Sequence, residues 1–204
     1  LPENLFDGAG EGVHLVRSAI GTGKTEVVEK LIKKNPEQSV LFTTHLISLV
    51  ESASSRLNLV SYNECDNFDL QIENRIAICL NSLGKLTLEG SLRQYDIVVI
   101  DEIEQVLARL TTKIEQKPLI FSVLKRVMQQ AKTLICLDAH LSNTTVQLIQ
   151  RFCPEKAVTV HFNTYEQGIK REILLHDSAE SLQIDAMKAL SSNKTVYLAF
   201  NAKR

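Results

Sequence analysis

Ser18-Ala19-Ile20-Gly21-Thr22-Gly23-Lys24-Thr25 lies between the apolar run Val13–Val16 and a helical pattern over Glu26–Lys34. The apolar run reads as a short buried strand. Val27, Val28, Leu31 and Ile32 fall on one face of the helix that follows. Strand, glycine turn and helix in this order make a phosphate-binding loop. Glycines let the backbone curl so that its N–H groups point inward, and the positive end of the helix adds to the attraction for an anion. Lys24 then reaches the outer phosphates of a nucleoside triphosphate and the Thr25 hydroxyl ligates Mg²⁺, while Ala19, Ile20, Gly21, Thr22 and Gly23 line the cradle. The bland alternative, a glycine-rich turn with a chance Lys-Thr, leaves the correct flanks unexplained. In one respect the loop departs from the general pattern, which has Gly where this chain has Ser18.

A second signal stands about 75 residues further on. Ile97-Val98-Val99-Ile100-Asp101-Glu102 is a β-branched run ending in two carboxylates. A phosphate-loop ATPase needs an Asp at such a strand end to hold Mg²⁺ and a Glu beside it to orient and deprotonate the attacking water. Acidic residues also favour the first turn of a helix, which is the competing explanation.

The rest of the chain supports one architecture. Apolar strand patterns at 13–16, 40–43, 58–60, 76–80, 97–100, 134–137, 158–161, 173–175 and 196–200 alternate with amphipathic patterns at 26–34, 46–56, 102–110, 118–130, 144–152 and 179–190. Continuous apolar runs, unlike in-and-out alternation, indicate strands covered on both faces. The expectation is an α/β fold with a mostly parallel sheet, whose ligands sit beyond the strand carboxyl ends. The polar stretch Asn63–Asn74 reads as a surface loop, and Phe162–Arg171 as a linker. That divides the chain into a complete domain over 1–161, a linker over 162–171 and the opening elements of a second domain over 172–204. Both ends read as cut, since the first residue is Leu1 and Arg204 follows directly on a strand pattern.

Composition sets outer bounds. Of 204 residues 44% are hydrophobic and 23% charged, with net charge −1, so no global basic field advertises a nucleic-acid partner. A motor tracking a strand needs only a local basic groove. Cys65, Cys79, Cys136 and Cys153 form no C-x-x-C pair and read as reduced thiols rather than zinc ligands or disulfides. No apolar stretch approaches membrane-spanning length and no signal-peptide pattern opens the chain, so a cytoplasmic location, nucleoid-associated or inside a host cell, is expected, with no membrane partner.

The loop form Ser-x-x-Gly-x-Gly-Lys-Thr resembles motif I of the superfamily-two helicases, and Asp101-Glu102-Ile103-Glu104 resembles their DExH-type motif II. Leu41–His45, Cys79–Leu83, Leu137–Leu141 and Val196–Arg204 fall where those proteins carry further motifs. Asp-Glu-Ile-Glu-Gln-Val-Leu and Asp-Ala-His-Leu are similar to the helicase part of cyanobacterial-type plasmid replication initiators and of herpesvirus origin-binding proteins. The resemblance implies a RecA-like domain that binds ATP and Mg²⁺, with Lys24, Asp101 and Glu102 at the chemistry. It also implies Thr43, Thr44, His45, Asn81 and Ser82 along the backbone of single-stranded or partly duplex nucleic acid, DNA in the first instance. Other replication proteins are further partners it suggests. Capping of the helix at Leu46 is the ordinary reading of Thr43 and Thr44. Glu104, Asp138 and His140 are candidates for coupling the two sites, Glu104 by an ion pair with His140 and Asp138 through Lys24 or the metal. Superfamily-two motors complete their ATP site with arginines from a second domain, so little or no turnover is expected of these residues alone. The functions to weigh are a helicase motor in replication initiation, a packaging-type ATPase of phage or virus, and an ATP-gated nucleic-acid-binding module without hydrolysis.

Overall fold

The computed structural model describes residues 1–2, 5–6, 11–66, 69–88, 90–165 and 174–196. Its chain forms two compact units, Leu1–Gln167 and Gly168–Arg204. In the first, β1 (Gly12–Arg17), β2 (Val40–Thr44), β3 (Val60–Ser61) and β4 (Arg75–Cys79) are followed by the small hairpin β5 (Thr87–Leu88) and β6 (Ser91–Leu92), then β7 (Ile97–Asp101), β8 (Thr133–Asp138) and β9 (Val158–Phe162). Seven of them form one sheet in the order β3-β4-β2-β7-β8-β1-β9, and every pairing in it is parallel. The apolar runs explain this. Ile97 to Ile100, like Leu134 to Leu137, are essentially inaccessible on both faces, as only a sheet covered by helices on each side permits.

The helices are α1 (Lys24–Lys34), α2 (Ile47–Leu57), the single turn α3 (Asp69–Ile72), α4 (Ile103–Thr111), α5 (Lys117–Gln130) and α6 (Asn143–Phe152). Helix α1 carries the chain from β1 past β8 and β7 to β2, whereas α6 carries it from β8 past β1 to β9. Parallel crossovers are right-handed, so these opposite directions put α1 and α6 on opposite faces. The order therefore reverses at β1, and the loop at its carboxyl end opens at that switch point.

Most expected elements form within a residue or two of their sequence limits. Three differences have local causes. Asn58, expected to open a strand, ends α2 in the left-handed region at φ 53°, so β3 starts only at Val60. Asn63–Asn74 is not all loop: the Asp66 carboxylate accepts the Asp69 N–H (2.9 Å), and Leu70 anchors α3 in the core. After β4 the chain tightens into a 3-10 helix, Leu80–Leu86, which buries Leu80, Leu83 and Leu86 and packs beside α5. Cys79, Cys136 and Cys153 are buried and Cys65 is half-buried, all as free thiols.

In the second unit α7 (Ala179–Ser191) begins at Ser178, whose hydroxyl accepts the Ser181 N–H. Leu174 and Leu175 are not in a strand, and the remainder of the two strands expected around it, Ile173 and 197–200, lies outside the described residues. Among the described residues no helix is long and apolar enough to cross a membrane.

The amino-terminal ends of β2, β7 and β8 are tied by one carboxylate. Asp96 accepts from the Ser39 N–H (2.9 Å), the Ser39 hydroxyl (2.7 Å) and the Lys132 ammonium (2.7 Å). The lysine first, then the serine, hold the Asp96 carboxyl down at about 2. A depressed carboxyl stabilises the fold above its unfolded value near 3.8, and that contribution is lost as pH falls toward 2. Asp96→Ala is expected to lower the free energy of unfolding at pH 7 by about 1–2 kcal/mol, or roughly 3–6 °C in Tm. The difference narrows below pH 4 in thermal melts.

Candidate functional site

Because the sheet is parallel, the carboxyl ends of β1, β2, β4, β7 and β8 share one edge of the molecule. The register levels three of them, with Arg17 opposite Asp138 and Asp101 opposite Leu137. Gly21 (φ 76°) and Gly23 (φ 86°) take the left-handed conformations that turn the chain from β1 into α1. No side chain caps the amino terminus of α1, where Gly23 is the flanking residue, which suits its first-turn amides to an anion. Lys24 donates from Nζ to the Ser18 carbonyl (2.8 Å) and the Ala19 carbonyl (3.2 Å), across the mouth of the loop. Ile20 projects into solvent at 74% exposure, whereas Ser18 and Thr22 are buried beneath it. Thr25 is half-buried on the first turn of α1.

Asp101 closes β7 and Glu102, the residue that flanks the start of α4, follows in the left-handed region at φ 53°, a conformation that costs a non-glycine residue on the order of 1 kcal/mol. Among the described residues the Asp101 carboxylate accepts one hydrogen bond, from the Glu102 N–H (3.1 Å). Burial, and after it the neighbouring Glu102 charge, push the Asp101 carboxyl up to about 6; Lys24 pulls the other way and Asp138 adds a smaller push. Lys24, Asp101, Glu102 and Asp138 thus share one electrostatic site.

Asp138 and Glu104 act differently from the sequence expectation. Both Asp138 carboxylate oxygens are taken by backbone, one by the Glu104 N–H (2.9 Å) and the other by the His140 N–H (2.7 Å). Among the described residues no hydrogen bond or ion pair joins Asp138 to Lys24. Glu104 makes no ion pair with His140; its carboxylate accepts the Ser142 N–H (2.7 Å) at the start of α6. The physical reason is that strand-end loops leave backbone donors unpaired, and short acidic side chains reach these before a surface imidazole. The bridge between motif-II-like and motif-III-like segments is therefore acid to backbone.

A second feature lies on the same edge. A groove of about 630 Å³ is lined by His45, Ile47, Tyr62, Asn81, Ser82 and Arg109, among others. Thr43 and Thr44 are buried without a hydrogen-bond partner for either hydroxyl, and the His45 Nδ1 is likewise unpartnered. Leu46 flanks the start of helix α2 and no side chain caps it, so the threonines do not serve as caps. Three unsatisfied polar atoms in sequence are unusual for a native fold. Arg109, on α4, and Tyr62, with the Lys85 ammonium 5.5 Å from its ring centroid, were not singled out from the sequence. The one cue for Arg109 is that it follows the acidic pair on the exposed face of the next helix.

The fold is that of helicases. Saccharomyces cerevisiae Dbp5, solved bound to Gle1, superposes with a TM-score of 0.62 at 16% identity, covering 90% of this chain and 49% of that one. A DEAD box protein from Methanococcus jannaschii superposes with a TM-score of 0.54 at 13% identity, over 78% of this chain and 47% of that one. The fold class is the RecA-like domain that these helicase structures share. Within it, the family described as "Origin of replication binding protein" matches residues 6–191, and the chain belongs to that family. A putative helicase/primase complex protein of African swine fever virus is 24% identical over an alignment of 198 residues that covers 92% of this chain and 18% of that protein. The replication origin-binding protein of human herpesvirus 6A is 26% identical over an alignment of 167 residues that covers 78% of this chain and 21% of that protein. The chain thus spans about a fifth of the length of these relatives.

Asp101 yields a test with a sign opposite to that of Asp96. A carboxyl raised to about 6 when folded makes the ionised form a burden above that pH, and the burden disappears as pH falls from 6 toward 3.8. Asp101→Asn is expected to raise the free energy of unfolding at pH 7.5 by about 1–2 kcal/mol, seen in chemical denaturation without added nucleotide or Mg²⁺. The gain should shrink steadily between pH 6 and 4.

Proposed function

We propose that this chain is the ATP-binding motor domain of a DNA helicase acting in replication initiation. The observation that carries the reading is the convergence of Lys24, Asp101 and Glu102 at the carboxyl edge of a parallel sheet, around a glycine loop whose helix start is uncapped. The donor set suits Mg²⁺-ATP. Backbone amides of Gly21–Thr25 and the Lys24 ammonium would take the phosphates, and the Thr25 hydroxyl with Asp101 would hold the metal. Bound Mg²⁺ supplies charge neutralisation for the transferred phosphoryl group. Glu102, whose charge acts on Asp101, is the base that orients and deprotonates water in this reading.

Membership of the origin-binding family and helicase-named relatives support nucleic acid as the partner. The groove at His45, Asn81 and Ser82, with Arg109 at its side, is the surface we assign to one strand, through phosphate and sugar contacts that carry no sequence. The unpartnered, fully buried Thr43 and Thr44 hydroxyls immediately precede His45 in the chain. Transition-state arginines belong to a further domain in this reading, so hydrolysis by the 204 residues is slow.

Two measurements test the proposal. Titration of the chain with a fluorescent ATP analogue and Mg²⁺ should give saturable binding that Lys24→Ala weakens at least tenfold and Glu102→Gln leaves within about twofold. In the full-length protein Glu102→Gln should lower ATP turnover by about a hundredfold or more. Absence of saturable binding, or undiminished turnover in Glu102→Gln, would overturn the motor reading. For the groove, Arg109→Ala in the full-length protein should raise the single-stranded DNA concentration giving half-maximal ATPase stimulation about threefold to tenfold, with basal turnover unchanged. An unaltered DNA response would remove Arg109 from the interface.

A further inference from the structure

Asn163 is the first residue after β9, at the far end of the first unit's sequence, and no motif reading includes it. Its backbone N–H donates to the Arg17 carbonyl (2.9 Å), the last residue of β1. Its side-chain Nδ2 donates to the Ser18 hydroxyl (2.8 Å), and its Oδ1 accepts the Tyr165 N–H (3.1 Å). That last bond fixes which end of the amide is the donor. The Ser18 and Thr22 hydroxyl oxygens stand 2.5 Å apart, and Thr22 donates to the Ala19 carbonyl (2.6 Å).

The protons of this chain have one consistent order. Thr22 spends its proton on Ala19, so the bond between the hydroxyls must be donated by Ser18. Ser18, with its own proton committed, then receives from Asn163. Each oxygen accepts one bond and gives one, and the series ends on the carbonyl that also receives Lys24 (3.2 Å). Ser18 is nearly inaccessible (1%) and Thr22 is buried, so water cannot readily substitute for either partner. Ser18 is also the position at which the loop departs from the general glycine pattern. A glycine there would carry no hydroxyl and offer Asn163 nothing to hold.

We propose that Asn163 is a positioning residue for the phosphate loop: through Ser18 and Thr22 it fixes the curl that presents Lys24 and the loop amides. The loop is thereby tied to the segment that leaves β9 and runs toward the second unit's sequence. A displacement of that segment then reaches the nucleotide site through two hydroxyls. Its consequence for nucleotide rests on the motor reading above; its consequence for loop order does not.

The test is a double-mutant cycle on the whole chain, with Asn163→Ala, Ser18→Ala and the pair together, each first matched for cooperative thermal unfolding. Amide hydrogen exchange without nucleotide should accelerate severalfold in a peptide spanning residues 17–28 of Asn163→Ala, and not in peptides from β7 or β8. Adding Asn163→Ala to Ser18→Ala should change that exchange little, because the handle is already gone. With a fluorescent ATP analogue and Mg²⁺, Asn163→Ala should raise Kd about fivefold to tenfold, again only when Ser18 is present. Unchanged loop exchange, or an equal effect of Asn163→Ala with and without Ser18, would overturn the positioning role. Coupled exchange with no analogue binding by any form would sustain the positioning role and overturn the ATP reading instead.

Discussion

The arrangement at the carboxyl edge depends on Asp138. Its carbonyl accepts the Ser18 N–H (3.0 Å), which starts the phosphate loop. Its carboxylate accepts the N–H of Glu104 and that of His140. One buried residue at the end of β8 therefore orients the segments that leave β1, β7 and β8. Strand-end loops lose the ladder partners that strands enjoy, and each buried N–H left unpaired would cost a few kcal/mol. An acid at this position satisfies two such groups in α4 and the following turn, and its main chain satisfies the third. Without it the parallel register would still level the strand ends, but the loops would have no fixed separation.

The fold was largely legible because a buried parallel sheet writes its strands as unbroken apolar runs. Ile97 to Ile100 and Leu134 to Leu137 have no polar interruption, and α1, α5 and α6 have clear helical stripes with buried faces. Elements stabilised by few residues escaped notice. The 3-10 helix at Leu80–Leu86 does repeat Leu80, Leu83 and Leu86 at its own spacing of three, but over so short a segment that the repeat does not stand apart from the preceding strand. Asn58 looked like the opening of a strand because nothing in the neighbouring residues signals a left-handed helix end except the asparagine itself.

The site was legible to a different depth. Lys24, Asp101 and Glu102 could be named because spacing from a glycine turn or a strand end is a property of one chain segment. Partnerships between segments could not be named. Whether Glu104 meets His140 or the Ser142 N–H depends on where α6 begins relative to α4, which no local pattern records. Asn163 is the extreme case: it is 145 residues from Ser18 in sequence, and only the pairing of β9 with β1 brings the two together.

The contrast between Asp138 and Asp101 bears on the proposed chemistry. Both are acids at the ends of adjacent parallel strands, yet one has two backbone donors on its carboxylate and the other has one. A carboxylate whose two oxygens each already accept an N–H has fewer lone pairs left to offer a cation. Asp101 is in the reverse condition, desolvated, close to the Glu102 charge and sparsely hydrogen-bonded, which is why its carboxyl is held up at about 6. Such a group gains most from a divalent cation, because the ion supplies the charge that burial and Glu102 make scarce. Lys24 alone does not supply it, since its ammonium rests on the Ser18 and Ala19 carbonyls and only partly offsets the acids. The same edge of the sheet thus separates an acid bound to backbone from the acid proposed to hold metal, and the two differ in the number of amides bonded to each.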